Sequence, residues 1–211
     1  MENKRKPKIF IDPPRLKWDF IRAKAEEFRK SYVEPVDLVP IPIIDIVELK
    51  LGIVPIPIDG LLSKIDIDGF LTNDLKNICI DTRIYMDVRQ INRLNFTYAH
   101  EVGHLILHEN EIKQCDFRSS DDWMHFREDF LTDDLNWFES HAYEFAGRLL
   151  VPKEELEKQI RIHQEKINKY KALVDNGEEE LIEAVSRMIC QNFQVSNYVI
   201  QKRIRKEGIK L

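Results

Sequence analysis

Apolar and polar positions alternate along this chain with two different periods, and the changes of period mark out its elements. Between Pro14 and about Tyr32, Leu16, Phe20, Ala23 and Phe28 recur at helical spacing, and Pro35 ends the run. A second, short helix is predicted from about Ile43 to Lys50, stopped by Gly52. The period then shortens. Ile65, Ile67 and Phe70 precede the polar turn Thr72-Asn73-Asp74, after which Ile78 and Ile80 alternate with Cys79 and Asp81, which reads as a hairpin or meander. From about Arg89 through His108 the spacing is helical again. Ile91, Leu94, Tyr98, Val102 and Leu105 form one stripe, while Phe96, Ala99, Ile106 and Leu107 make much of the remaining surface apolar. A helix that is apolar nearly all round is a buried one.

Residues 111 to 135 are polar and acidic with aromatics interleaved, and are expected to form a long loop with one helical turn. A helix follows from about Leu135 to Leu150, stopped by Pro152, with Phe138, Ala142, Phe145 and Leu149 as its core stripe. Lys153 to Leu173 reads as a charged helix with a solvated face, and Asp175-Asn176-Gly177 as a break. Two further helices are predicted, Glu178–Gln191 and Asn197–Glu207, with Ser196 as N-cap and Gly208 as C-cap of the second. The sum is an α+β fold, a small antiparallel or mixed sheet packed with helices. The expected division is an N-terminal helical segment (1–34), a central domain (35–152) and a C-terminal helical region (153–211).

Composition adds little to this picture except exclusions. Of 211 residues 43% are hydrophobic and 33% charged, as in ordinary globular domains. The net charge of −5 argues against nucleic-acid binding by the surface as a whole, and leaves a local basic patch at Lys202, Arg203, Arg205, Lys206 and Lys210. A packing module with a solvated basic face is the favoured reading of that patch, DNA binding the alternative. Cys79, Cys115 and Cys190 form no C-x-x-C pair, which fits a reducing compartment and offers no cysteine metal site. Met1 to Lys8 is basic but no apolar signal core follows it. The most apolar stretches are interrupted by Pro40, Pro42, Pro55 and Pro57, too short to span a bilayer. A cytoplasmic protein is expected.

Chemistry concentrates at His100-Glu101-Val102-Gly103-His104. Residues four apart share one helix face, so the two imidazoles can reach one zinc ion from the same side. Glu101 stands at the edge of that face, placed to serve as a base rather than as a third ligand. On a buried helix these groups need partners, and a metal supplies them. A chance H-E-x-x-H in a chain of this length is expected on the order of once in a hundred sequences. The extended H-E-x-x-H-x-x-G-x-x-H pattern fails, because Leu107 and Asn110 occupy its glycine and third histidine positions. His108 lies two turns from His100, about 12 Å along the axis, and is expected to make a hydrogen bond near the helix end. Glu139, beside the core stripe of its helix, is the third-ligand candidate, the plain alternative being a surface carboxylate. His141 falls on the other side of that stripe and is expected to be exposed, or else to support a ligand or an oxyanion.

Phe96-Thr97-Tyr98-Ala99-His100-Glu101-Val102-Gly103-His104-Leu105-Ile106-Leu107-His108 resembles the F-T-x-A-H-E-x-G-H-x-x-x-H segment of the ImmA/IrrE metallopeptidases. Glu139-x-x-Ala142-Tyr143-x-Phe145-Ala146-x-x-Leu149-Leu150-Val151-Pro152 is similar to a second block of that family, and Phe193-Gln194-Val195-Ser196 with Arg203-Ile204 to its helix-turn-helix-like tail. The resemblance covers roughly residues 35 to 208. It implies zincin-type helices, a zinc site of His100, His104 and Glu139, Glu101 as catalytic base, and endopeptidase action on a helix-turn-helix transcriptional repressor. Tyr143 departs from the family, which usually has Asn or Asp there. His141, Tyr143 and Arg148 are the candidates for stabilising an oxyanion, and the 65–80 hairpin offers an edge strand to an extended substrate. Rival readings are a non-catalytic zinc protein that antagonises the repressor, a DNA-binding regulator, and a zinc hydrolase of small molecules.

Overall fold

The computed structural model describes residues 13–114, 132–173 and 177–211. Helix α1 (Trp18–Tyr32) begins after Pro13 and Pro14 and ends at Val33, whose N–H bonds the Arg29 carbonyl at 2.9 Å. Its buried face is Ile21, Ala25 and Phe28; Phe20 is 47% exposed and Ala23 is also on the outside. The predicted face is thus turned by one residue. The next helical segment, α2 (Ile43–Asp45), runs on as one wide turn through Lys50, in which Leu51 N–H reaches the Ile46 carbonyl five residues back at 3.0 Å.

Among the described residues the sheet has three strands, β1 (Val54–Ile58), β2 (Gly69–Leu71) and β3 (Asn77–Asp81), in the order β1-β3-β2. β2 and β3 are the expected antiparallel hairpin, Phe70 facing Cys79. Its turn is closed by Thr72, whose N–H donates to the Asn77 carbonyl and whose hydroxyl oxygen accepts from Asn77 N–H. β1 pairs with β3 in parallel and was not anticipated, since Pro55 and Pro57 read as breakers. Val54 N–H donates to the Lys76 carbonyl at 2.9 Å. By alternation, positions 55 and 57 therefore turn their backbone nitrogens outward, the one place in a sheet where proline removes no ladder bond. A short helix, α3 (Leu61–Ile65), occupies the start of what was expected to be strand. The buried Asp81 ties it down: one carboxylate oxygen accepts from Leu62 N–H, the other caps α4 (Thr82–Met86) through Arg83 N–H.

Two long helices dominate the interior. α5 (Ile91–Leu107) buries Leu94, Tyr98, Ala99 and Val102, together with Glu101, Gly103 and His104. It crosses α7 (Thr132–Leu150), whose Phe138, Ala142, Phe145 and Leu149 are all buried as the stripe predicts. α1 covers the other side of α7. Between them, α6 (Glu109–Gln114) shows that the expected acidic loop is helical at its start, and α7 begins inside its end. The acidic positions 116 to 129 lie outside the described residues.

The C-terminal part is α8 (Lys153–Ile162), α9 (Gln164–Leu173), α10 (Glu178–Phe193) and α11 (Asn197–Glu207). The predicted single charged helix is interrupted at His163, and it buries Leu156, Ile160 and Ile167. Ser196 caps α11 by accepting from Val199 N–H. The turn between α10 and α11 is pinned to α5, since Asn92 and Asn95 side chains donate to the carbonyls of Val195 and Gln194. One hydrophobic cluster runs through all of this, from Ile21 to Ile204. Much of the basic patch is already engaged: Arg203 is buried against Glu207 and Val151, Arg205 pairs with Glu179, and Lys206 pairs with Glu144. Among the described residues no helix is long and apolar enough to cross a membrane.

Candidate metal centre

Three side chains predicted from the sequence converge where α5 meets α7. His100 Nε2 lies 3.0 Å from His104 Nε2 and 3.1 Å from Glu139 Oε2, and His104 Nε2 lies 3.8 Å from the same oxygen. Tetrahedral bonds of ~2.0–2.1 Å to one ion would place donor atoms about 3.3 Å apart, and the three separations bracket that value. Two imidazoles and a carboxylate are also a donor set that suits zinc-like divalent ions. The residues therefore fit a metal, and all three line a cleft.

The electrostatics agree. Burial works against a charged ring at His100, but the bond to Glu139 and the charges of Glu139, Glu101 and Asp68 together outweigh it and raise the pKa above its ordinary value. Burial likewise opposes the Glu139 carboxylate, and the bonds to His100 and His104 outweigh it, holding this carboxyl well below the usual range. The two shifts together favour a proton on His100 beside an ionised Glu139. Glu101, buried one residue along the helix, is pushed up by burial. One of its oxygens accepts from Leu71 N–H of β2 at 2.8 Å, a link between helix and sheet that side-chain patterns give no means of foreseeing.

His108 and His141 do not reach the metal position. His104 Nδ1 is 3.1 Å from His108 Nδ1, and His108 Nε2 is 3.2 Å from His141 Nδ1. Both outer rings are 0% exposed, so the expectation of an exposed His141 is corrected: Trp18 of α1 and Trp137 of α7 close over it. Burial drives His108 down to about 2 and lowers His141 as well, so both are neutral imidazoles at ordinary pH.

The cleft, about 420 Å³, is walled by Phe70, Leu71, Phe96, Ile112, Leu135 and Phe138, with Arg93, Asp68 and Tyr143 on the polar side. Arg93 and Asp68 hold each other through two bonds of 2.6 and 2.7 Å. Of the three oxyanion candidates only Tyr143 lines this space. It is 52% exposed, and its ring centroid lies 4.6 Å from that of His100. Arg148 is tied to Glu144 and Glu207 instead. His100 Nδ1 is buried and has no hydrogen-bond partner among the described residues. Arg93 and Asp68 escaped the sequence reading because neither falls in a motif.

Residues 62–205 match the Peptidase M78 family model, described as the IrrE N-terminal-like domain. That span contains every cleft and ligand residue named above. A comparison with curated proteins gives no match. The family match suggests a peptidase of the metal-dependent kind. It belongs to the ImmA/IrrE family.

Proposed function

We propose that this protein is a zinc-dependent endopeptidase that cuts a partner protein, with His100, His104 and Glu139 as ligands and Glu101 as the general base. The observation that carries the reading is the convergence of three donor atoms from two helices beside a buried carboxylate on the same face. Zinc held by these three groups supplies Lewis acidity toward a water and the scissile carbonyl. Glu101 takes the water's proton and later delivers it to the leaving amine. Its burial raises its basicity toward the range such a role needs, and Leu71 N–H fixes one oxygen so that the other is aimed. Tyr143, with its half-exposed phenol on the cleft, donates to the developing oxyanion.

The substrate enters extended. Phe70 and the bonds from Thr72 and to Asp68 commit alternate positions of β2 to β3, which turns the backbone of Gly69 and Leu71 toward the cleft. A peptide can add there as a further strand through the outward backbone groups of Gly69 and the Leu71 carbonyl, the Leu71 N–H being held by Glu101, with a side chain in the Phe70–Phe138 apolar wall. The family resemblance supports a helix-turn-helix repressor as partner, and the cysteine spacing supports the cytoplasm as the setting.

The test incubates the zinc-loaded protein with the repressor encoded beside it and reads cleavage by mass spectrometry. Glu101→Gln is expected to bind zinc at full stoichiometry and to cut nothing. Cleavage by that variant would remove the base assignment. Relief of repression by Glu101→Gln at the wild-type level would favour the antagonist reading instead.

A further inference from the structure

The proposed chemistry leaves two buried histidines unused. His108 ends α5 one turn past His104, and His141 sits two residues past Glu139 on α7. We propose that His108 and His141 are positioning residues, a hydrogen-bonded relay that fixes the ring orientation and the proton of the ligand His104. The proposal rests on the reading of His100, His104 and Glu139 as a metal site.

The geometry assigns each proton in turn. His104 presents Nε2 to His100 and Glu139, so on ligation its remaining proton is on Nδ1. That nitrogen is 3.1 Å from His108 Nδ1, which must then accept. A neutral His108 that accepts at Nδ1 carries its proton on Nε2, 3.2 Å from His141 Nδ1. His141 accepts in turn, and its own proton falls on Nε2, which is buried without a hydrogen-bond partner among the described residues. One choice at the metal thus sets three tautomers.

The ring planes are fixed as well. Phe138 stacks on His104 with centroids 4.4 Å apart and on His108 at 4.2 Å. Ligand histidines ordinarily give this proton to a carboxylate or a backbone carbonyl. Here the acceptor is a neutral imidazole with another behind it, in a region closed to solvent. Because His141 belongs to the helix that brings Glu139, the relay also joins the two metal-bearing helices a second time. Among the described residues His100 has no comparable support at its Nδ1, so the relay acts on one ligand only.

Two variants separate hydrogen bonding from packing. His108→Phe keeps an aromatic ring against Phe138 and loses the acceptor; His108→Asn keeps an acceptor at the Nδ1 position and loses the ring. Zinc affinity is measured on each whole protein by competition with a chromogenic chelator, and folding of the metal-free forms by thermal unfolding. We expect His108→Phe to bind zinc ~10–100-fold more weakly, and His108→Asn to recover most of that loss. Undiminished affinity in His108→Phe, or no recovery in His108→Asn, overturns the relay. Should His108→Phe not fold, nitrogen-15 imidazole spectra of the zinc-loaded wild type decide. They are expected to show protonation at Nδ1 of His104 and at Nε2 of His108 and His141; any other pattern overturns the relay. A wild type that takes up no zinc overturns the metal site itself, an outcome distinct from all of these.

Discussion

Gly103 lies against Ala142 where α5 crosses α7: a Cβ placed on Gly103 would be 3.0 Å from the Ala142 Cα and 3.1 Å from its carbonyl oxygen. Both atoms are backbone or backbone-bound, so neither can rotate away. Gly103→Ala must push the helices apart at the level of the metal site, since Glu139 is less than one turn from Ala142. Overpacking of this kind costs about 1–3 kcal/mol. We expect lower unfolding stability of the metal-free protein and weaker zinc binding in a chelator competition. Finding both unchanged would show that the crossing distance does not govern the site.

The proton favoured on His100 beside Glu139 makes metal uptake and stability depend on pH. His100 is raised from 6.5, so more of the metal-free site carries a proton for zinc to expel than an ordinary imidazole would. Affinity should fall with falling pH, and calorimetry in two buffers of different ionisation heat should show net proton release on zinc binding that grows as pH falls toward 6.5. The sign for metal-free stability differs on the two flanks. Glu139 is lowered from 4.5, so its contribution is present above that value and is lost as pH falls through the folded-state pKa. That of His100 is present below 6.5 and is lost as pH rises through its raised value. The pair therefore stabilises most between pH 4.5 and 6.5. Glu139→Gln should flatten the profile and suppress proton release; an unchanged release would refute the proton held on His100 by Glu139.

Tyr143 can be divided into two roles. Tyr143→Phe removes the hydroxyl and keeps the ring beside His100, so zinc affinity should hold while kcat drops ~10²-fold, as loss of one oxyanion donor does. Tyr143→Asn offers an acceptor to the unpartnered His100 Nδ1, so zinc affinity should rise while kcat still drops. Equal kcat in Tyr143→Phe and wild type would rule out the oxyanion role.

Gly69 marks a second close approach, on the sheet side. A Cβ there would lie 2.5 Å from the Cys79 carbonyl oxygen and 3.2 Å from Thr97 Cγ2. Gly69→Ala must shift β2, and with it the Leu71 N–H that holds Glu101. We expect loss of kcat with zinc affinity retained, read from cleavage rates and metal titration on the same preparation. Loss of zinc binding as well would mean that β2 also supports the ligands.

The sequence was most informative where chemistry and periodicity coincide. α5 and the core stripe of α7 were legible because the apolar spacing runs without interruption, and because His100, Glu101 and His104 have few other reasons to share a buried face. Elsewhere the pattern was ambiguous for physical reasons. α1 carries aromatics on its outer side, and Phe20, at helical spacing from Leu16 and Ala23, drew the predicted face away from Ile21 and Ala25. β1 was hidden by its prolines, since local propensity does not say whether a strand lies at an edge. His141 was misplaced because its cover comes from Trp18 on a different helix, which no single-helix periodicity contains. The hold of Leu71 on Glu101 is a main-chain bond, and every residue type except proline offers the same N–H.

The two prolines of β1 have a consequence for how copies of this protein meet. Positions 55 and 57 present no N–H along the outer flank of the sheet, so a neighbouring chain finds no continuous row of donors there to zip onto. Ribbon-like stacking of one copy on the next is barred from that side even in concentrated solution. The small sheet is thereby guarded at both borders by different means, proline along β1 and, along β2, the hold of Glu101 on the Leu71 N–H.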